Sequence, residues 1–108
     1  MGFDLEGALE RTGGDEEILK EIAELFLEDG PDLLMQIREA IDAKDAGALQ
    51  KAAHTLKGSV ANFGAEEAVE TAFRLETMGR EDQLSDVEAV YRSLEAAIHE
   101  VKNGLERL

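Results

Sequence analysis

The sequence predicts an all-α protein, an up-down antiparallel four-helix bundle with a short additional N-terminal helix. Three observations carry that reading. Ala, Leu, Glu, Lys and Arg dominate, runs of β-branched residues are absent, and Pro31 is the only proline. Apolar residues recur at the 3.6-residue period through several long stretches. The breaks between those stretches are short, and short connections between long amphipathic helices make antiparallel neighbours.

A first helix fits Asp4 to Arg11, with Asp4 as N-cap and the Gly13-Gly14 pair as its stop. Asp15 then caps a long run to about Lys44, with Ile18, Ile22, Leu25, Phe26, Leu33, Ile37 and Ile41 at helical spacing. Pro31 removes one N–H and crowds the preceding turn. The apolar spacing continues through it without an added loop, so this is one kinked helix rather than two. Asp45 starts a third helix that ends at Phe63-Gly64, where Gly64 is placed as a C-cap. The fourth runs from Ala65 to about Met78 and is closed by Gly79; its apolar stripe comprises Ala68, Val69, Ala72, Phe73 and Leu75. After the polar break "REDQ" a last helix begins at Ser85 or Asp86. It aligns Val87, Val90, Tyr91, Leu94, Ile98, Val101 and Leu105.

Composition sets the bounds. The 108 residues make a single domain, 1–108, long enough for one real core but not two, and 44% hydrophobic with 33% charged content is that of a soluble globular chain. No internal repeat, low-complexity tract or linker occurs. No apolar run approaches the length of a membrane span and no signal-peptide pattern opens the sequence, so a cytoplasmic protein is expected. Without cysteine there are no disulfides and no thiolate metal sites. The net charge of −14 argues against nucleic acid and anionic membranes, both of which reward Lys and Arg. It favours a partner with a basic face.

The stretch "AAHTLKGSVANFG", residues 52 to 64, holds the chemistry. At about 100° per residue, Leu49, Ala52, Ala53, Leu56, Val60 and Phe63 share one line, which is the core stripe. His54 lies about 140° from that line, Gly58 almost opposite it, and Lys57 about 80° away on the shoulder nearest His54. Ala61 falls close to His54 one step further along. The histidine therefore faces outward, beside a lysine and among small residues, where an exposed helix normally carries long charged side chains. Alanine would suit an ordinary helix better than Gly58 by roughly 1 kcal/mol. From Ala46 to Ala65 there is no acidic residue, in a chain with 25 of them, and Lys51 and Lys57 make this the one positive island. Such gaps also arise by chance in short chains; read functionally, an anion comes to this face.

A second helix contributes. If the third and fourth helices form a hairpin about Gly64-Ala65, His54 faces position 75 or 76, and Glu76 falls inside an apolar stripe. A carboxylate there wants a partner. Accepting from His54 Nδ1–H, it would fix the tautomer and leave the Nε2 lone pair outward, the arrangement of a nucleophilic histidine. A plain Glu76–Lys57 or Glu76–Arg80 ion pair is the alternative.

These residues resemble a known family. "AHTLKGSVANFG" is similar to the phosphoacceptor motif of histidine-containing phosphotransfer (HPt) domains of two-component phosphorelays, a His-x-Leu-Lys-Gly-Ser core followed by a glycine. The resemblance extends over essentially the whole chain. It implies that His54 is phosphorylated by a receiver aspartyl phosphate and passes the group to another receiver aspartate. It further implies that Lys57 steadies the phosphoryl group, that Gly58 leaves room for the partner, and that Glu76 occupies the fourth-helix position that hydrogen-bonds the imidazole. Ser59, Asn62 and Gly64 match motif positions suited to packing and helix termination. Phe63, often a smaller aliphatic residue in relatives, sits on the core stripe and leaves the function untouched. The implied partners are response-regulator receiver domains and a hybrid histidine kinase, with the chain itself a monomer.

No Gly-rich phosphate loop is present, so such a carrier would have no ATP-dependent kinase activity of its own. No cofactor and no metal site are expected: carboxylates do not cluster near His54, no His-x-x-x-His spacing exists, and the Mg²⁺ of the transfer would belong to the receiver. His99 reads as a solvated surface histidine. Leu27 and Leu34, off the main stripe of the long helix, either pack against the last helix or help dock a receiver. Two other readings remain: the phosphoacceptor domain of a chemotaxis-type kinase, and a helical adaptor that carries no phosphate. The adaptor leaves Gly58 and the acid-free island unexplained.

Overall fold

The computed structural model describes residues 5–107, which form five helices and, among these residues, no strand. Helix α1 spans Leu5–Arg11, α2 Glu16–Asp42, α3 Ala46–Ala61, α4 Glu66–Glu81 and α5 Val87–Glu106. The expected four-helix bundle with a short leading helix is therefore observed. The proposed Asp4 cap lies outside the described residues. Helix α2 runs unbroken through Pro31. Its 27 residues, roughly 40 Å at 1.5 Å each, account for the long axis of a 41 × 20 × 19 Å molecule.

Two of the predicted caps are made as expected. Asp15 Oδ1 accepts from the Glu17 N–H at 2.9 Å and the Ile18 N–H at 3.3 Å, and Asp45 Oδ1 accepts from the Ala48 N–H at 3.0 Å. Helix α3 ends at Ala61 with Asn62 as its C-cap, short of the expected end at Phe63-Gly64; Gly64, at φ +62°, makes the left-handed turn that leads into α4 rather than capping α3. The end of α4 differs from expectation. Gly79 does not close it; the helix continues to Glu81, and Asp82 adopts the left-handed conformation at φ 53° while the Gln83 N–H donates to the Met78 carbonyl. A short polar side chain tolerates that region better than most, which lets an aspartate end a helix here.

Gly79 is instead a packing residue. A Cβ built on it would stand 2.7 Å from the Ala46 carbonyl oxygen and 2.7 Å from the Gln50 nitrogen, so α4 rests directly on the α3 backbone. This contact sets the register of the α3–α4 hairpin. With Gly79 against Gln50, antiparallel descent brings Glu76 against His54 one turn further on, and Phe73 against Lys57 after that.

The core stripes of α3 and α5 are buried as predicted, from Leu49 to Phe63 and from Val87 to Leu105. The Phe26 and Phe63 rings meet edge to face with centroids 5.5 Å apart. The stripe of α2 is narrower than expected. Ile18 and Leu25 are exposed, and the buried face runs instead through Leu19, Ala23, Phe26, Gly30, Leu33, Ile37, Ala40 and Ile41. Leu27 and Leu34 are half-buried and pack against the core. On α4, Val69 is half-buried and Phe73, placed on the apolar stripe by its spacing, is exposed. Arg38 ties α2 to α5: its guanidinium pairs with Glu88, bonds Asp42 at 2.6 Å and lies 4.9 Å from the centre of the Tyr91 ring.

Gly58 of α3 and Gly79 of α4 should respond oppositely to alanine. A methyl group at Gly79 meets backbone atoms that cannot step aside, so Gly79→Ala should destabilise by about 1–3 kcal/mol. Gly58 has nothing within 4 Å of a Cβ, so Gly58→Ala should stabilise by up to about 1 kcal/mol. Thermal melts of both variants test this, and an unchanged melt for Gly79→Ala would contradict the close crossing.

Candidate functional site

The site is built on the outer edge between α3 and α4. The α3 periodicity turns Leu49, Ala53, Leu56 and Val60 inward and leaves His54 on the α4-facing shoulder, with its side chain 67% exposed. Across from it Glu76 is buried at 7% exposure. The hairpin count from Gly64 thus places the two residues in contact, and the carboxylate serves both oxygens. Oε2 lies 3.1 Å from His54 Nδ1 and 3.4 Å from Arg80 on the next turn of α4. Oε1 lies 2.7 Å from Lys57 Nζ. The histidine contact and the two ion pairs, which stood as alternatives on sequence, coexist on one carboxylate.

A buried carboxylate among apolar neighbours is costly to ionise unless cations compensate it. Here they do. The Lys57 ammonium beside Oε1 holds the Glu76 carboxyl below the ordinary carboxylate range; burial pushes the other way, and His54 adds to the lowering. An ionised Glu76 is an acceptor only, so the hydrogen between it and His54 sits on Nδ1. The neutral ring then carries its lone pair on Nε2, which points away from Glu76.

The remaining motif residues divide by role. Gly58 lies on the exposed face with open space above it. Ser59 Oγ donates to the Thr55 carbonyl at 3.2 Å, just as Thr55 Oγ donates to that of Lys51 at 3.0 Å; both are helix-internal bonds. Ala61 and Gly64 line a shallow concavity with Val69 and Arg11, one turn beyond Gly58. His99 is exposed on α5, away from this edge. Among the described residues no group of three or more His, Asp or Glu side chains is arranged to hold a metal ion, and no helix is long and apolar enough to cross a membrane.

Two residues at the site were not singled out by sequence as members of it. Arg80 appeared only as an alternative partner of Glu76. Phe73 belongs to the apolar stripe of α4 by sequence, yet its ring centroid lies 4.9 Å from Lys57 Nζ, on the rim of the site. The signal was present: on a wheel Phe73 falls about 130° from the line of Ala68, Ala72, Leu75 and Gly79, on the same side as Glu76.

A family model described as the Hpt domain matches residues 21–106. Among solved structures the chain is similar to the histidine-containing phosphotransfer protein B (HptB) from Pseudomonas aeruginosa PAO1. The TM-score is 0.90 at 24% identity, over 98% of this chain and 92% of that one. It is also similar to the HPT domain of an Hpt sensor hybrid histidine kinase from Shewanella, with TM-score 0.86 at 15% identity over the same shares. At these identities both show a shared fold. No curated protein matches the chain in sequence.

The depressed pKa of Glu76 has a consequence for stability. Its folded-state value lies below the ordinary 4.5, so the stabilisation from its ionised form is present above 4.5 and is lost as pH falls through the folded-state value. The advantage of wild type over Glu76→Gln in urea midpoint should therefore be level above pH about 5 and shrink in more acidic solution. Midpoints measured across that range check it; an advantage that stays constant into strong acid would contradict the ionised cluster.

Proposed function

The chain belongs to the Hpt domain family, the histidine phosphotransfer intermediates of two-component phosphorelays, and from that premise we propose that His54 is the residue that carries the phosphoryl group. The observation that supports this is the exposed imidazole whose Nδ1 is engaged by Glu76 at 3.1 Å, leaving Nε2 outward. The transfer is a displacement at phosphorus. The Nε2 lone pair attacks the phosphorus of a receiver's aspartyl phosphate, a P–N bond forms as the P–O bond breaks, and the aspartate carboxylate leaves with the bonding pair. The Nδ1 proton stays in place, and the positive charge that develops on the ring faces the Glu76 carboxylate. Transfer to a second receiver reverses each step.

Each neighbour has a part. Lys57 offsets negative charge on the phosphoryl oxygens as the transition state spreads it. Gly58, with open space above it, gives the partner's active site room to approach in line. The acid-free run from Ala46 to Ala65 spares that approach a like-charge repulsion that the rest of a −14 chain would impose. Members of this family interact with receiver domains and hybrid kinases; we propose that receivers dock here, that the divalent ion of the transfer belongs to the receiver, and that the chain works as a cytoplasmic monomer.

Incubation with a phosphorylated receiver should label this protein on one histidine, with the acid-labile, base-stable behaviour of a phosphoramidate. His54→Gln should abolish the label and His99→Gln should retain it, while ATP with Mg²⁺ alone should give none. Lys57→Ala should slow transfer by roughly one to two orders of magnitude without loss of helical signal. Labelling that survives His54→Gln would overturn the assignment.

A further inference from the structure

Lys57 is not simply an exposed cation awaiting a phosphoryl group. Its side chain is 26% exposed, and the ammonium is held between two neighbours on α4. One is Glu76 Oε1 at 2.7 Å. The other is the face of Phe73, with the ring centroid 4.9 Å from Nζ. Phe73 itself is 48% exposed, an unusual position for a large aromatic side chain on a helix whose other apolar residues turn inward. Its place follows from the hairpin register, which sets it opposite Lys57 as Glu76 is set opposite His54.

The chemistry of the two contacts differs. A lysine has a long flexible stem with several freely rotating bonds, and a charge stabiliser acts best when it is already held where charge develops. An ion pair with Glu76 alone would hold the ammonium but would draw it toward the interior and away from an incoming phosphoryl group. A ring face attracts a cation through its quadrupole and needs no single N–H aimed at a lone pair.

We propose that Phe73 is a positioning residue for phosphotransfer: its ring seats the Lys57 ammonium at the rim beside His54, with N–H donors still free to meet the phosphoryl oxygens. Those donors engage as the P–N bond to Nε2 forms and the P–O bond to the receiver aspartate breaks. This rests on His54 as the phosphoacceptor.

Single-turnover transfer from a phosphorylated receiver, followed over a range of receiver concentrations, separates the maximal rate from half-saturation. Phe73→Leu keeps apolar bulk and removes the π-face; Phe73→Tyr keeps both. The maximal rate should fall roughly two- to fivefold in Phe73→Leu, the scale of one exposed cation–π contact, with half-saturation unchanged. Phe73→Tyr should restore it. On a Lys57→Ala background Phe73→Leu should have no further effect. The seat is also read without transfer: the Lys57 ε-methylene protons should be shifted upfield by the ring in wild type and Phe73→Tyr, and return to ordinary positions in Phe73→Leu. A raised half-saturation at unchanged maximal rate would make Phe73 a docking contact and overturn the proposal, as would an equal loss on the Lys57→Ala background or an unshifted ε-methylene in wild type. A wild-type protein that labels normally while Phe73→Leu matches it sinks this proposal alone. Failure of wild type to label sinks the phosphoacceptor reading with it.

Discussion

The site depends on one close contact, the absence of a side chain at Gly79, which lets α4 lie on the α3 backbone at Ala46 and Gln50. Two helices that touch at a fixed point and run antiparallel have no freedom left in register. From Gly79 the facing residues follow at one-turn intervals: Glu76 with His54, then Phe73 with Lys57. A slip of one residue would rotate each of these side chains by about 100° and disperse the cluster. The chemistry is thus held by a packing contact one turn away from it.

The cluster so assembled resolves a conflict between burial and charge. Glu76 is almost wholly buried, and its ionised form survives because Lys57, His54 and Arg80 all face it. The two oxygens divide the work. Oε2 engages His54 and so decides which ring nitrogen bears hydrogen, whereas Oε1 holds the Lys57 ammonium at 2.7 Å. One residue therefore orients the imidazole and holds the cation beside it. The exposed face stays bare at Gly58, with nothing within 4 Å of where a Cβ would stand.

Much of this was legible in the sequence. Cap chemistry marked the starts of α2 and α3 at Asp15 and Asp45, and the 3.6-residue period gave the buried faces of α3 and α5. Counting back from the turn at Gly64 brought His54 to Glu76. The misreadings have a common cause. Periodicity ranks residues by apolar character, so it overlooked the small ones that let helices approach, among them Ala23, Gly30, Ala40 and Gly79, and it drew in Ile18, Leu25 and Phe73, which are exposed. Gly79 looked like a stop because glycine ends helices more often than it packs them, and here Asp82 supplied the left-handed turn instead. The seat of Lys57 depends on the facing helix, which no single helical wheel displays.

Glu76 at 3.1 Å from Nδ1 fixes His54 in the tautomer that leaves the Nε2 lone pair outward. Long-range ¹H–¹⁵N correlation spectra of the His54 ring, recorded on the neutral imidazole and again after phosphorylation by a receiver, test it directly. Hydrogen on Nδ1 and a bare Nε2 are expected before transfer, followed by ³¹P coupling at Nε2. Hydrogen on Nε2 in the unphosphorylated protein, or phosphorus coupled to Nδ1 afterwards, would contradict it.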